Sequence, residues 1–252
     1  MRPGRPRPAA GRTETIRLNR FLALAGVASR RRCDEIIRAG RVAVNGEPVS
    51  DPATAVEPGR VTIALDGRPL ALVTPQTWLL NKPRGILSAA SDARGGTTVA
   101  DLARAAGISG RLYPVGRLDK DSRGLILLSN EGDLALRLTH PRYGIEKTYR
   151  VRINLPITAT QMRQFSAGLP LADGPTQPCR IRALPGRATY EVVLAEGRKR
   201  QIRRMFECLG RRVVDLARVR LGPLGLGGLP EGSLRPLSAA ELERLKRAVG
   251  LR

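Results

Sequence analysis

The amino-acid sequence predicts an α+β protein, in which a small helix–helix–hairpin module precedes a larger domain built on a central, largely antiparallel mixed sheet flanked by helices. Runs with the length and pattern of strands lie at residues 78–81, 125–128, 147–153 and 190–194. A doubly wound fold requires strands that alternate regularly with helices, and these runs do not alternate in that way. The first 63 residues instead combine two short helical patterns with one hairpin pattern. We find no internal repeat.

The N-terminal module is predicted over residues 15–63. Gly26 and Gly40 are placed to end its two helices, and Ser29 is a good N-cap for the second. Residues with the spacing of inward-facing helical positions are Leu18, Phe21, Leu22, Ala25, Cys33, Ile36 and Ile37. Asn45-Gly46 then joins two short strands. Residues 1–14 are rich in Pro, Arg and Gly and predict a disordered basic tail rather than a signal peptide.

The larger domain is predicted over residues 76–252, after a linker at 64–75. The segment that follows Gly197 has apolar residues at helical spacing: Ile202, Met205, Phe206 and Leu209. A further helix, at about 238–248, ends the chain.

The net charge of +22, from 44 basic and 22 acidic residues, indicates a polyanionic partner, above all a nucleic acid. Only five of the basic residues are lysines, which leaves 39 arginines. An arginine-rich codon usage explains most of that preference for arginine. It explains the net charge less well.

Several classes of function lack their residues in this sequence. The three cysteines form no CxxC pair, there is a single histidine, and no GxxxxGK[ST] loop is present. We therefore expect reduced thiols, no metal and no cofactor. The scattered cysteines predict a cytoplasmic protein, and since no apolar run reaches membrane-spanning length we expect no membrane partner. A monomer is the default expectation.

Two clusters of arginines lie near predicted helix starts. Arg30, Arg31 and Arg32 oppose the helix macrodipole, which favours a phosphate site there, although a solvated basic face is the alternative. Arg200, Arg203 and Arg204 share one face of the later helix. That face suits phosphate binding or a guanidinium aimed at a buried carboxylate.

Asp119 lies in a polar, glycine-flanked turn directly before an apolar run. A loop joined to a buried strand holds a reactive group rigidly, so Asp119 is a candidate acid, base or nucleophile. Tyr149 lies on an alternating strand, and most tyrosines in such a pattern are core residues.

Four motifs together resemble the bacterial ribosomal RNA pseudouridine synthases. Gly116-Arg117-Leu118-Asp119, with Ser129-Asn130-Glu131-Gly132, is similar to that family's catalytic motif, although aspartate is commoner at Glu131. The other three motifs are Asn81-Lys82-Pro83-Arg84-Gly85, Lys147-Thr148-Tyr149 and the segment 196–205. The module at 15–63, with Arg17-Leu18-Asn19 through Val44-Asn45-Gly46, resembles the small RNA-binding domain first named for ribosomal protein S-four. The resemblance spans residues 16–238.

This resemblance implies an enzyme that isomerises a specific uridine in ribosomal RNA to pseudouridine. Asp119 is then the essential carboxylate, and it attacks the base, attacks the ribose or assists a glycal route. Arg203 pairs with Asp119, Tyr149 packs on the uracil, and Leu118 and Ile202 line the pocket. The residues expected to bind RNA are Arg30, Arg31, Arg32, Lys82, Arg84, Arg117, Arg200 and Arg204.

The expected partner is ribosomal RNA, and the stretches 111–120 and 139–144 favour the large-subunit RNA over the small-subunit RNA. A ribosome-assembly factor that binds RNA without chemistry is one rival reading, but pure binding does not need a carboxylate amid an anion-binding surface. A hydrolase with an aspartate nucleophile is another. It needs a positioned water and a second acid or a metal.

Overall fold

The computed structural model describes residues 15–251, so the predicted tail 1–14 lies outside the described residues. The chain divides into two compact units, Met1–Thr74 and Pro75–Arg252. Of the helices within residues 15–251, none combines the length and the apolar character that a membrane crossing requires.

The first unit has two helices and two small sheets. Its strands are β1 Ile16–Arg17, β2 Val42–Val44, β3 Glu47–Val49, β4 Ala55–Val56, β5 Ile63–Leu65 and β6 Arg68–Pro69. Its helices are α1 Leu18–Leu24 and α2 Arg30–Arg38. Ser29 caps α2 by accepting a hydrogen bond from the Arg32 amide at 3.3 Å. The inward faces of both helices are buried against β2, β4 and β5, apart from Ala25, which is only partly buried.

The predicted linker at 64–75 differs from the structure, because its first half belongs to the sheet. Strands β3, β2, β5 and β6 form one antiparallel sheet in that order. Asp66 and Gly67 both have positive φ values, of 48° and 75°, so they make the tight turn that joins β5 to β6. Strand β6 is only two residues long, too short for a period-two pattern to reveal it.

The second unit contains one large sheet with helices around it. Its strands are β7 Thr77–Lys82, β8 Tyr113–Val115, β9 Arg123–Ser129, β10 Lys147–Ile153, β11 Pro170–Leu171, β12 Gly174–Pro175, β13 Arg180–Ala183, β14 Thr189–Leu194, β15 Val213–Leu221, β16 Leu224–Gly225 and β17 Leu234–Pro236. Its helices are α3 Val99–Ala105, α4 Gly132–Thr139, α5 Ala159–Ala167, α6 Gln201–Cys208 and α7 Ala239–Ala248.

The large sheet has the strand order β13-β14-β10-β15-β9-β7-β17, with β8 also pairing with β9 and β16 with β15. Every pairing in it is antiparallel except that of β9 with β15. The predicted α+β class with a largely antiparallel mixed sheet is therefore confirmed. The parallel pair lies at the centre and joins the two halves of the sheet.

Helices pack on the sheet through separate apolar clusters. Helices α5 and α6 meet over β10 and β14, where the rings of Phe165 and Phe206 lie 4.7 Å apart. Helices α4 and α7 cover β9 through Leu134 and Leu245, and α3 covers β7 through Val99. The predicted inward face of α6 is buried, with Leu209 only partly so. Ser238 caps α7 at the predicted C-terminal helix.

Candidate active site

Asp119 lies in the loop between β8 and β9, at the edge of the most deeply buried strand. Residues 125–128 of β9 are fully buried, and they anchor the loop from its C-terminal side. The Ser122 amide donates to the Asp119 carbonyl at 3.0 Å and closes a tight turn. The Asp119 residue is therefore held at the backbone, while 30% of its side chain stays exposed.

Lys82, predicted to bind RNA, is completely buried and cannot contact a phosphate, so that prediction is wrong. Its ammonium group donates instead to three backbone carbonyls: Pro83 at 2.9 Å, Lys120 at 3.3 Å and Ser122 at 2.8 Å. Two of these belong to the Asp119 loop. Burial lowers the pKa of Lys82 to about 8, against the opposing effect of the carboxylates of Asp121, Asp119 and Glu231.

The segment after Lys82 holds the same loop at two further points. The Gly85 amide donates to the Lys120 carbonyl at 2.9 Å. The Ser88 hydroxyl donates to the Leu118 carbonyl at 2.9 Å and accepts from the Leu118 amide at 3.1 Å. The 81–85 motif therefore acts as a support for the Asp119 loop.

Arg203, on α6, is brought to Asp119 across 84 residues of sequence. It is only 8% exposed, and its Nε lies 3.9 Å from Asp119 Oδ2. Its other nitrogens donate to the Val213 carbonyl at 3.3 Å, the Asp121 carbonyl at 3.3 Å and Ser122 Oγ at 3.4 Å. Nε is buried without a hydrogen-bond partner among the described residues.

The charge of Arg203 is well suited to the carboxylate that it faces. Burial lowers the pKa of Arg203, and Arg200 adds to that effect, while Asp119 and Asp121 oppose it. A guanidinium remains protonated despite such burial. The 3.9 Å separation is longer than a charge-assisted hydrogen bond, so Asp119 is held by a nearby charge rather than by a tight bidentate pair.

Tyr149 lies on β10, opposite Arg218 of β15 and Val192 of β14. It is partly buried and packs against two of the apolar clusters, that of α5 and α6 and that of α3. Tyr149 also lines two adjoining cavities, as Asp119 does. The side chain is therefore a wall of the site as well as a core residue.

The smaller cavity has a volume of about 80 Å³ and lies between the Asp119 loop and α6. Its walls include Ser122, Leu118, Ile202 and Leu216. The structure thus brings both predicted pocket residues, Leu118 and Ile202, to Asp119. A mixed apolar and polar wall of this kind can hold a flat heterocycle and orient it.

The larger cavity, of about 580 Å³, extends from the smaller one toward the end of α4. Among its described lining residues, seven are lysine or arginine and two are aspartate. Arg117 and Arg200 are exposed and line both cavities. Arg200 has a φ of 52°, a left-handed conformation that is uncommon for a residue with a side chain and concentrates at functional sites.

Two other arginines of the predicted RNA-binding set already have carboxylate partners. The first, Arg84, pairs with Asp215 at 2.5 Å. Arg123, which is not in that set, pairs with the same carboxylate. Burial favours the neutral form of Asp215, but these guanidinium hydrogen bonds outweigh it and lower its pKa to about 2. Arg204 makes a bidentate contact with Asp173 at 2.9 and 3.1 Å, which ties α6 to the turn between β11 and β12.

Arg30, Arg31 and Arg32 are exposed on the first turn of α2, in the first unit. Arg32 is paired with Glu35, and Arg30 donates to Asn19 Oδ1 at 3.5 Å. Their role in RNA binding stays a prediction.

Sequence reasoning missed Arg218 and gave no role to Lys147, although both line the larger cavity. Arg218 is only 3% exposed. An arginine inside the apolar run of β15 conceals that strand, which was also missed. The one available clue was the position of Lys147 two residues before Tyr149, on the same face of β10.

Comparison with known proteins identifies the class. A profile described as RNA pseudouridylate synthase matches residues 76–208, and a profile of the S4 domain matches residues 16–61. The chain belongs to the RNA pseudouridylate synthase family, a family of isomerases, as its motifs predicted.

Individual relatives cover nearly the whole chain. Ribosomal large subunit pseudouridine synthase B of Bacillus subtilis is 39% identical over 235 residues, which are 91% of this chain and 95% of the relative. Dual-specificity RNA pseudouridine synthase RluF of Escherichia coli is 36% identical, over 90% of this chain and 77% of the relative. A crystal structure of a pseudouridylate synthase has a TM-score of 0.65 at 31% identity, covering 91% of this chain and 99% of that chain.

Proposed function

We propose that this protein isomerises a specific uridine in ribosomal RNA to pseudouridine, with Asp119 as the essential carboxylate. The observation that carries this proposal is that Asp119 and Tyr149, from two separate elements, line one cavity, while Arg203 of a third element lies 3.9 Å from the Asp119 carboxylate. Family membership supplies the reaction. The geometry supports our assignment of that reaction to these residues.

The reaction cuts the bond from ribose carbon 1′ to base nitrogen 1 and joins carbon 1′ to base carbon 5. The proton on carbon 5 leaves, and nitrogen 1 gains a proton, so atoms and charge balance without an oxidant or a second substrate. The ionised carboxylate of Asp119 attacks the base or the ribose, or assists a glycal route. Arg203 places a positive charge 3.9 Å from that carboxylate.

Tyr149 provides the face on which the uracil packs, and Leu118 and Ile202 enclose it. A uridine within structured RNA must leave its stack to enter this cavity, which costs a few kcal/mol. Contacts to the RNA backbone offset that cost. Arg117 and Arg200, exposed beside the cavities, and Arg30 to Arg32 on the S4 domain are the residues that we assign to those contacts.

We assign the substrate to large-subunit ribosomal RNA. The name of the Bacillus subtilis relative states that class, and the alignment covers 95% of that protein. Mapping pseudouridines in ribosomal RNA from a strain that lacks this gene tests the assignment directly. A site lost from small-subunit RNA alone contradicts it.

Asp119→Asn tests the catalytic role with almost no change in shape. We expect the variant to fold and bind RNA as the wild type does, but to release no tritium from 5-tritiated uridine in ribosomal RNA. Asp121→Asn is the matched control, because Asp121 is an exposed carboxylate of the same loop that lines neither cavity. Near wild-type tritium release by Asp119→Asn refutes the proposal, whereas loss in both variants points to general damage of the loop.

A further inference from the structure

Arg218 carries a buried guanidinium nitrogen with no hydrogen-bond partner in the part of the chain that the structure describes. Its Nε donates to the Leu125 carbonyl at 2.7 Å, which fixes the direction of the side chain. Its Nη2 is buried without a hydrogen-bond partner among the described residues. Leaving a buried charged donor unsatisfied costs about 1–3 kcal/mol or more, so such a donor calls for an explanation.

Lys147 places a second cation on the same wall of the larger cavity. Its ammonium donates to the Ile145 carbonyl at 3.0 Å and the Ala195 carbonyl at 3.5 Å. Burial lowers the pKa of Lys147, and the nearby charge of Arg218 lowers it further, although Glu196 opposes both effects. Arg218 is buried and Lys147 is partly buried, so these two like charges repel each other, and an anion bound between them relieves that repulsion.

These two cations lie beside the proposed uracil pocket rather than in it. Arg218 and Lys147 line the larger cavity only, whereas Asp119 and Tyr149 line both. Arg218 faces Tyr149 across the β10–β15 pair, and directly opposed residues have Cβ atoms about 5 Å apart. An anion at Arg218 therefore lies about one nucleotide's width from a base packed on Tyr149.

We propose that Arg218 and Lys147 form a phosphate subsite that binds a phosphodiester next to the flipped uridine. The inference rests on the proposed function, since it takes the smaller cavity as the uracil pocket. A guanidinium whose Nη2 lacks a hydrogen-bond partner among the described residues suits a phosphate oxygen through a charge-assisted hydrogen bond, and the lysine adds a point charge. The subsite fixes the backbone of the target nucleotide, so that the base enters in register with Asp119.

The test removes the charge of one phosphate at a time. The RNA is a large-subunit stem-loop that contains the mapped uridine, with a methylphosphonate on its 5′ or its 3′ side. The neighbouring 2′-hydroxyl is methylated in these RNAs and in their phosphodiester controls. At one of the two positions, we expect binding to wild type to weaken about tenfold, the equivalent of one charge-assisted hydrogen bond. Binding to Arg218→Gln should weaken by less than about twofold at the same position, because the contact is already lost.

Arg220→Gln is the matched control, since Arg220 lies on the same strand but is exposed and outside both cavities. It should respond to the methylphosphonate as wild type does. If Arg218→Gln does not fold, Lys147→Met carries the same comparison. The phosphate subsite is overturned if, at both positions, the methylphosphonate weakens RNA binding to the wild type and to the Arg218→Gln or Lys147→Met variant by the same factor.

Kinetics separate the subsite from a role in the chemical step. Removing a phosphate contact should raise KM more than it lowers kcat, and a fall in kcat alone would overturn the assignment. The binding comparison needs no turnover. An absence of pseudouridine formation by wild type therefore refutes the proposed function, whereas an absence of coupling refutes only the subsite.

Discussion

Lys82→Met tests whether the buried ammonium positions the Asp119 loop. Methionine has nearly the same length and fills the same space, but it cannot donate to the carbonyls of Pro83, Lys120 and Ser122. Two of those carbonyls belong to Lys120 and Ser122, one and three residues after Asp119. The substitution therefore releases the loop at the site while it leaves the surrounding core filled.

Two opposing terms set the expected effect on stability. Holding the pKa of Lys82 at about 8 instead of 10.5 corresponds to about 3 kcal/mol of native-state cost, which the substitution removes. Three carbonyls that lose a donor cost about 1 kcal/mol each at the lower end of the usual range, because loop relaxation lets water reach them. The terms nearly cancel, so we expect the free energy of unfolding to change by less than about 2 kcal/mol.

Activity should respond far more strongly than stability. A displacement of the carboxylate by about 1 Å lowers the rate about 100-fold, and the freed loop permits a movement of that size. Tritium release from 5-tritiated uridine measures kcat, and urea unfolding measures stability. Lys246→Met is the control, because Lys246 pairs with Glu131 away from the loop. A folded Lys82→Met protein with near wild-type kcat refutes the positioning role.

Three further predictions follow from the same structure. Raising the pH through about 8 should lower kcat, because a neutral Lys82 amine has two hydrogens for three carbonyls. The contribution of Lys82 to the free energy of unfolding should rise between about pH 8 and 10.5, since in that range the unfolded chain binds more protons than the folded chain. Gly124→Ala should destabilise the protein by about 2 kcal/mol or more, because Gly124 has a φ of 103° and a Cβ would overlap the Arg218 backbone at the β9–β15 pair. Replacing Arg30, Arg31 and Arg32 by glutamine should weaken RNA binding and reduce its salt dependence, because phosphate contacts release counterions.

Each of these predictions has a distinct measurement. A pH profile of kcat that stays flat up to about pH 9 contradicts the role given to the Lys82 proton. Gly225→Ala is the control for Gly124→Ala, since a Cβ there meets open space, and equal urea midpoints for both variants contradict the overlap argument. An unchanged salt slope in the arginine variant shows that the start of α2 is a solvated basic face.

Local pattern was enough to predict much of the fold. The strands at 77–82, 123–129, 147–153 and 189–194 are apolar or alternating over several residues, and the structure extends the predicted ones by at most two residues at each end. Strand β15 was missed because Arg218 sits inside it, and a buried arginine disrupts the apolar pattern. The two-residue strand β6 was missed because it is too short to show a period.

The roles of charged side chains were the least predictable part of the site. Lys82 and Arg204 belong to motifs with many basic residues, and sequence pattern treats them alike. The structure buries Lys82 among carbonyls and turns Arg204 onto Asp173, whereas Arg117 and Arg200 stay exposed at the cavities. Ser122 is 40 positions from Lys82 and Asp173 is 31 positions from Arg204, and no local pattern contains partners at such separations.

The order and spacing of short motifs, together with the charge of +22, were sufficient to predict the family, the α+β class and the candidate carboxylate. Those properties are encoded locally, in residue types and their spacing. Tertiary structure alone decided which cations support the Asp119 loop, which face the cavities and which pair with carboxylates. Burial and hydrogen bonding between distant segments determine what each charged side chain contacts, and the β9–β15 pair shows how distant these segments are, since it joins residues almost a hundred positions apart.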